Sequence, residues 1–329
     1  MRSHVTRIAV RTYVAAALIA VASNAATAQP QSYPARPIRI VVPAAPGGPT
    51  DAVARLASQF ISKLGQPVVV ENRGGAGGAL GAREVAGAAP DGYTLLVGNT
   101  STLAVIPATS ANAGYDPSKD FVPVALFWES YQLLVVHPSQ PWMSLKELVD
   151  EAKANPGKLA YAHTGSGGMP FLSGELFMAR AGINLVRVPY RSGGELATAV
   201  LTQAVQLTIG DVGVMLPLVQ EGKLRALAVT SNARTSLAPE VPTMIEAGVP
   251  DYDVITYSGI VAPAGTPHEV VRKLNTVINS GLSSPDSSAA IMRLGAIPRP
   301  ATPEDFAAFI TAKRQHWENI ARSIGARVN

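Results

Sequence analysis

The stretch of sequence that decides the fold is IRIVVPAAPGGPTD, residues 38–51. Ile38 to Val42 form a β-branched run that Pro43 ends, and a loop of proline and small residues leads to a helical pattern between Asp51 and about Leu64. A buried strand followed directly by a helix is the first half of a βαβ unit. The loop between them lies at the carboxyl end of a strand, where open α/β sheets bind their ligands.

The alternation of strand and helix continues along the chain. Short apolar runs that favour strands are separated by helical stretches of roughly 10–15 residues, which is typical of βαβ units with right-handed crossovers. These runs lie at 68–70, 93–97, 133–136, 158–162, 185–188, 206–209 and 225–229. From about Pro267 onward the pattern is mostly helical. The chain is too long for one such sheet, so we predict an α/β fold with two lobes, each a mainly parallel sheet flanked by helices.

Residues 1–28 have the pattern of an export signal. Three arginines and no acid precede a short apolar run, and Ala26-Thr27-Ala28 places small residues where signal peptidase cleaves. The run has roughly 10 residues, whereas a membrane-spanning helix needs about 20. We therefore expect cleavage after Ala28 and a periplasmic location. An amphipathic first helix of the folded domain remains the alternative.

Composition and charge exclude several classes of protein. The chain has no cysteine, which rules out disulfide frameworks, thiolate metal sites and cysteine nucleophiles. Its 27 basic and 23 acidic residues are scattered, and three of the arginines lie in the export signal, so no basic face for nucleic acid is expected. No two histidines have the spacing of a metal site. We therefore expect no nucleic-acid partner, no metal and no cofactor.

Two glycine-containing loops have the geometry of an anion site. The first, residues 43–51, precedes a helix whose first N–H groups and dipole favour a carboxylate, and Asp51 is expected to cap that helix. The second, residues 163–168, also lies between a strand and a helix, in what would be the second lobe. Thr164 and Ser166 can donate hydroxyl hydrogen bonds there. For each loop a plain glycine turn remains the alternative.

Other chemistries have weak support in the sequence. The glycine-rich loop at 72–81 lacks the glycine spacing of a dinucleotide fingerprint, and the acid expected about 20 residues later is missing. No P-loop and no GxSxG motif occur, and His163 with Ser166 belongs to no catalytic motif. We expect a binding protein with no catalytic residues. A hydrolase on the same architecture, and a sensor subunit for a membrane signalling protein, remain alternatives.

Aromatic residues mark two places at which the chain is expected to cross between the lobes. Phe127 and Trp128 lie at the first place, and Tyr257 lies at the second. For these residues both core packing beneath a linker and the lining of a ligand cleft remain open.

Taken in order, many short segments of the chain resemble the substrate-binding proteins of tripartite tricarboxylate transporters, also called the Bug family. The first loop together with Ala54-Arg55 resembles the GGxxDxxAR stretch of that family. Each segment is weakly specific alone, but the ordered set covers nearly the whole chain after residue 33. The other matching segments are 65–73, 75–78, 90–94, 155–159, 188–191, 222–230, 241–243, 246–248 and 262–267.

The resemblance implies a two-lobed periplasmic binding protein of the Venus flytrap kind, similar to type II, that closes on its ligand. Lobe 1 would comprise residues 29–128 and 253–329, and lobe 2 residues 129–252. The ligand would be a small carboxylate: a di- or tricarboxylate, an acidic amino acid or an aromatic acid. The implied partners are the membrane subunits of a tripartite tricarboxylate transporter, and the receptor itself is expected to be a monomer.

The resemblance also implies which residues bind the ligand. In the family, loops of both lobes hold a carboxylate through backbone N–H groups, hydroxyls and water, and an acid near the end of a lobe-two strand meets the ligand's amine or far end. The positions carried over are Ala45, Gly47, Gly48, Thr50, Asp51, Asn99, Thr100, Ser101, Thr164, Gly165, Ser166, Gly167, Arg191 and Asp211. Met169-Pro170-Phe171 replaces the polar pair usual after the second loop, which predicts a more apolar far end and a ligand bulkier or less polar than citrate.

Overall fold

The computed structural model describes residues 33–110, 113–164 and 169–323. The export signal expected at 1–28, and Gly165, Ser166 and Gly167 of the predicted site, lie outside these ranges. From Arg36 onward the chain belongs to one compact unit. Within the described ranges no helix is long and apolar enough to cross a membrane.

Strands form at every run where the sequence predicts one. Two further strands, β9 and β10, were not predicted, and β4 begins well before the predicted run at 133–136. The described strands are β1 (Ile38–Val42), β2 (Val68–Asn72), β3 (Thr94–Asn99), β4 (Phe121–Val136), β5 (Ala160–His163), β6 (Val186–Pro189), β7 (Leu207–Asp211), β8 (Arg225–Val229), β9 (Ile255–Pro263) and β10 (Ala296–Pro298).

Helices connect most of these strands. Apolar side chains recur along one face of the first helix, and burying a side chain such as Phe60 contributes roughly 1.5–3 kcal/mol. The described α-helices are α1 (Pro49–Ile61), α2 (Ala79–Ala86), α3 (Ile106–Thr109), α4 (Pro117–Asp120), α5 (Leu145–Ala154), α6 (Met169–Ala181), α7 (Gly193–Leu201), α8 (Val212–Gln220), α9 (His268–Leu282), α10 (Pro285–Arg293) and α11 (Pro303–Ser323). Short 3-10 turns lie at Ser62–Leu64 and Ala76–Gly78, and a π-helical turn at Ser101–Val105.

The strands form one curled sheet in the order β2-β1-β3-β9-β4-β7-β5-β6, with β8 and β10 also paired to β4. The strands at its two ends, β2-β1-β3 and β7-β5-β6, are parallel because helices return the chain between them. The central strands β4 and β9 are antiparallel to each other and to their other neighbours. The sheet is therefore mixed: each half has the predicted parallel strands, and an antiparallel centre joins them.

Strand β4 has 16 residues and changes partners part-way along. Phe121 to Tyr131 pair with β9, whereas Gln132 to Val136 pair with β7. The change of partner falls between Tyr131 and Gln132, so β4 belongs to both halves of the sheet.

Apolar clusters form the core of the described residues, and α11 contributes to two of them. Phe306 and Ile310 pack beside β1 and β3 in one half, while Trp317 and Ile320 pack with residues of β5 and α6 in the other. Phe127 stacks on the α1 residue Phe60, with ring centroids 6.0 Å apart, so it is a core residue. The edge of the neighbouring Trp128 ring contacts Phe127, with ring centroids 5.9 Å apart, at a point where the register of β4 against β9 shifts.

Candidate functional site

A cleft of about 450 Å³ opens between the two halves of the sheet. One wall is the first turn of α1 with the segment after β3, and the other is the segment after β5 with the starts of α6 and α8. The crossing strands β4, β9 and β10 form its floor. Its described lining residues are Gly47, Gly48, Pro49, Thr50, Ala52, Asn99, Thr100, Ser101, Trp128, Ser130, Thr164, Met169, Pro170, Asp211, Gly213, Thr256, Tyr257, Ser258, Leu294 and Ala296.

The loop before α1 presents backbone donors to the cleft. Helix α1 begins at Pro49, whose fixed φ suits the first helical position, and Gly48 is the N-cap with no side-chain cap. The first N–H groups of a helix have no intrahelical acceptor, so the N–H groups of Thr50 and Asp51 are available to an anion. This wall therefore offers hydrogen-bond donors and the positive end of a helix dipole.

Asp51 lies behind this loop and does not line the cleft. The prediction that it is the N-cap of α1 is wrong, because Pro49 starts the helix two residues earlier. Asp51 is 2% exposed, and its carboxylate accepts the Gly47 N–H at 3.1 Å. It also pairs with Arg55 at 2.7 Å, and the bond from Arg55 lowers the pKa of Asp51 against the opposing effect of burial. Asp51 therefore orients the loop from behind.

The segment after β3 completes this wall. Asn99 and Thr102 form a reciprocal turn, in which the Thr102 N–H donates to Asn99 Oδ1 at 3.0 Å and the Asn99 N–H donates to Thr102 Oγ1 at 3.1 Å. Asn99 Nδ2 then donates to Thr50 Oγ1 at 3.3 Å. The buried Thr100 hydroxyl accepts the Tyr257 N–H at 2.8 Å, which ties the wall to the floor. Ser101 donates to Gly77 O at 2.9 Å.

The opposite wall carries the acid of the site. Asp211 ends β7, immediately before α8, and burial raises the pKa of its carboxyl group, while the neighbouring Gln132 amide acts in the other direction. Thr164 follows β5, and Met169 begins α6. Met169, Pro170 and Leu294 give this end of the cleft an apolar surface.

The structure brings eight of the predicted binding residues to the cleft and leaves three described ones away from it. Gly47, Gly48, Thr50, Asn99, Thr100, Ser101, Thr164 and Asp211 line the cleft. Ala45 is exposed and does not line the cleft, and Asp51 lies behind the loop. Arg191 is also exposed, and its N–H donates to the Glu195 carboxylate at 3.0 Å, so the segment serves the start of α7.

The floor contains Trp128 and Tyr257, for which the sequence left a cleft-lining role open, and Ser130, Thr256 and Ser258, which the sequence pattern did not identify. Trp128 and Ser258 are direct neighbours across β4 and β9, as are Ser130 and Thr256. In an antiparallel pair, residues opposite each other share a face, so these side chains lie together beneath the cleft. Thr256 and Ser258 alternate with Ile255 and Tyr257, but this pattern does not say which face is the floor until the partner strands are known.

The chemistry of the cleft is that of binding through neutral groups. Among its described lining residues, Asp211 carries the only Asp, Glu, Lys, Arg or His side chain. In the described ranges no group of three His, Cys, Asp or Glu side chains could hold a metal ion. Backbone N–H groups, hydroxyls, an amide and one half-buried acid remain to contact a ligand.

A mixed α/β sheet of this topology, with a polar cleft over its crossing strands, defines a solute-binding protein of the periplasmic class. The chain belongs to the tripartite tricarboxylate transporter receptor family, since the family model described as "Tripartite tricarboxylate transporter family receptor" matches residues 53–326. It is similar to the protein BugT of Bordetella pertussis strain Tohama I, with 38% identity over 312 residues that cover 94% of this chain and 96% of BugT. The members of this family and the structural relatives are solute-binding receptors.

Two solved structures with ligands are similar to this chain. R. palustris Rpa4515 with adipate has a TM-score of 0.78 and 34% identity, covering 90% of this chain and 100% of that one. MatC (Rpa3494) from Rhodopseudomonas palustris with bound malate has a TM-score of 0.74 and 36% identity, covering 88% of this chain and 99% of that one. Both ligands are dicarboxylates.

Proposed function

We propose that this protein is a periplasmic receptor that captures a small carboxylate in the cleft and delivers it to the membrane subunits of a tripartite tricarboxylate-type transporter. The observation that carries the proposal is the wall formed by α1 and Asn99, where backbone N–H groups and hydroxyls face an open cleft without a countercharge. Family membership and the dicarboxylates bound by the two relatives support the same ligand class.

The carboxylate binds at the first turn of α1 in this proposal. Two N–H groups of that turn have no acceptor within the helix, and hydrogen bonds to charged groups contribute about 1.5–3 kcal/mol each. A helix N-terminus stabilises an anion without a buried cation, so the absence of lysine, arginine and histidine from the described lining does not oppose this ligand. The Thr50 hydroxyl, which accepts from Asn99 and keeps its own hydrogen, is the side-chain donor beside that turn.

The other end of the ligand lies towards Asp211, Met169 and Leu294. One half-buried acid beside apolar side chains is a poor site for a second and a third carboxylate together, because the like charges would repel each other. We therefore propose a carboxylate that is less charged or more apolar than citrate, such as an aliphatic dicarboxylate or an aromatic acid.

Capture involves closure of two lobes. The proposed lobes are residues 29–128 with 253–329, and residues 129–252, so that the chain crosses at the strands of the cleft floor. Closure about these strands would bury the ligand and present a joint surface to the membrane partner. The mature receptor would begin at Gln29, after cleavage of the export signal, and would act as a monomer.

A thermal-shift screen of residues 29–329 tests the proposal. The panel comprises adipate, malate, citrate and benzoate, with calorimetry on each compound that shifts the melting temperature. A ligand present at 100 times its Kd adds about 2.7 kcal/mol to the free energy of unfolding. We expect adipate or benzoate to stabilise the protein more than citrate does. Exclusive binding of citrate would refute the assignment of the far end, and turnover of any panel member would refute a binding role without catalysis.

A blocking variant locates the site. A Cβ atom at Gly48 would meet no atom within 4 Å, so Gly48→Phe is accommodated and fills the cleft. Gly87 is an exposed glycine at the end of α2 whose φ of −89° is close to the −88° of Gly48, and Gly87→Phe is the control. We expect Gly48→Phe to abolish binding and Gly87→Phe to preserve it. If both variants still bind the ligand, the ligand site lies elsewhere.

A further inference from the structure

Gln132 is a fully buried amide at the point where β4 changes partners. It is 0% exposed and lies directly opposite Asp211 in the antiparallel pairing of β4 with β7. Directly opposite residues share one face of the sheet, with Cβ atoms about 4.5–5.5 Å apart. Gln132 is therefore the side chain beneath the acid of the cleft, although it does not itself line the cleft.

The orientation of this amide is set by its neighbours. Gln132 Oε1 accepts a hydrogen bond from the buried Ser173 hydroxyl on α6. Ser173 is itself held, because its backbone oxygen accepts the Tyr252 hydroxyl at 2.8 Å. The Gln132 backbone N–H donates to Thr230 Oγ1 at 3.0 Å, which anchors the strand on its other side. With Oε1 occupied by a donor, Nε2 is directed away from Ser173.

The Nε2 donor is buried and has no hydrogen-bond partner of normal geometry in the described residues. A buried donor without an acceptor is costly, so such an atom calls for a functional or structural explanation. The side chain directly across the strand pair is the carboxyl group of Asp211. Burial raises the pKa of Asp211, and the neighbouring Gln132 amide opposes that rise.

Gln132 also joins the two elements that form the lobe-two wall. Ser173 lies about one helical turn after Met169 and Pro170, which line the cleft at the start of α6. Asp211 is at the end of β7 on the same wall. A single amide between them ties the position of the acid to the position of the helix.

We propose that Gln132 is a positioning residue for ligand selection: held by Ser173, it donates Nε2–H to one oxygen of Asp211 and leaves the other oxygen to face the ligand. This inference rests on the proposed function of the cleft. Among the described lining residues, Asp211 has no other Asp, Glu, Lys, Arg or His side chain beside it. Gln132 and the ligand are therefore the groups that set the protonation state of Asp211. Gln132 thereby decides which polar end groups the far end of the cleft accepts.

The first test needs no ligand. The pKa of Asp211 is measured by carbon NMR of its carboxyl group in the wild type and in Gln132→Met, which has a similar volume and no donor. Because Gln132 opposes the effect of burial on this pKa, we expect Gln132→Met to raise the pKa of Asp211. Gln206→Met is the matched control. Gln206 immediately precedes β7, and its side-chain oxygen accepts the Ala160 N–H at 2.8 Å. An Asp211 titration unchanged in Gln132→Met would overturn the proposal.

The second test uses adipate as the probe. We expect Gln132→Met and Asp211→Asn each to change adipate affinity by about tenfold or more, and the double variant to show no further change, because the two residues act as one unit. Effects that simply add would overturn the proposal. If the wild type does not bind adipate, the proposed ligand class is in doubt, while the NMR titration still decides the role of Gln132.

Ser173→Ala provides a second variant should Gln132→Met fail to fold. Removing the hydroxyl frees the amide to rotate while Nε2 is retained. We expect a smaller rise in the Asp211 pKa than in Gln132→Met and a weaker loss of adipate affinity. A normal titration in Ser173→Ala, together with normal affinity, would show that Ser173 does not orient the amide.

Discussion

The carboxylate of Asp51 accepts a hydrogen bond at 3.1 Å from the backbone N–H of Gly47, four residues earlier in the loop that forms one wall of the cleft. The same carboxylate accepts from the Asn72 side-chain amide at 3.0 Å, at the end of β2. One buried acid therefore ties the loop to its own helix and to the neighbouring strand. A loop held in this way keeps its backbone donors in place before a ligand arrives, which reduces the entropy lost on binding.

Asp51→Ala is expected to lower both stability and ligand affinity. Loss of the carboxylate removes the acceptor of Gly47 and Asn72, which costs about 1–3 kcal/mol of unfolding free energy. Asp51→Asn retains an acceptor and is expected to lie between the wild type and Asp51→Ala. Chemical denaturation gives the stability and calorimetry with adipate gives the affinity. If the affinity is unchanged while the stability falls, Asp51 is a structural residue alone.

Gly213→Ala is expected to disturb the contact between the two halves. A Cβ atom at Gly213, in the first turn of α8, would lie 2.4 Å from the backbone oxygen of Leu294, which is too close for the backbone to accommodate without a shift. We expect a larger radius of gyration by X-ray scattering and weaker adipate binding. Gly194→Ala is the control, because its Cβ would meet only the Ser192 hydroxyl, at 4.0 Å. Equal scattering from both variants would contradict this expectation.

The ion pair between Lys313 and Asp253 is expected to stabilise the packing of α11 on the crossing region. Its atoms are 3.0 Å apart and both side chains are largely buried, at 17% and 18% exposure. Lys313→Met should cost about 1–3 kcal/mol of unfolding free energy, because Asp253 is left without its charged partner. Lys146→Met removes an exposed partner of Asp150, and because solvent screens that pair it should change stability much less than Lys313→Met does. Equal losses in the two variants, measured by urea unfolding, would contradict the prediction.

Asp116 predicts a specific dependence of stability on pH. Its carboxylate accepts the hydroxyl and the N–H of Ser118 at the start of α4, and these bonds, aided by Lys119, lower the pKa of Asp116 from 3.8 to about 2 despite partial burial. Because the folded pKa lies below the unfolded value, the contribution is present above about pH 4 and is lost as the pH falls towards about 2.

Asp116→Asn tests this dependence. We expect it to be less stable than the wild type near neutral pH, and the difference to shrink between about pH 4 and pH 2. Denaturant unfolding at several pH values measures it. A difference that is constant over this range would show that the charge of Asp116 is not responsible.

Much of the fold could be read from local sequence. Proline after β1, glycine after the first helix and the strand–helix alternation are local signals, and they predicted the strands of both parallel blocks. The loops at the carboxyl ends of β1, β3 and β5 were identified as candidate binding segments for the same reason. The role of Asp51 was predicted less well. An N-cap residue looks the same in sequence as a residue in the first helical turn whose side chain accepts from an earlier N–H, here that of Gly47. Only the start of the helix at Pro49 distinguishes the two roles.

By itself, the sequence determined which segments become strands and helices, because residue preferences, apolar periodicity and breaking residues act over a few neighbouring positions. The tertiary structure alone decided the floor of the cleft and the partner of its acid. Trp128 and Ser130 face the cleft only because β4 pairs with β9 in a particular register, and Gln132 lies under Asp211 only because β4 then pairs with β7. Strand register joins residues about 80 or more positions apart, and it depends on burial across the whole sheet rather than on the preference of any one segment.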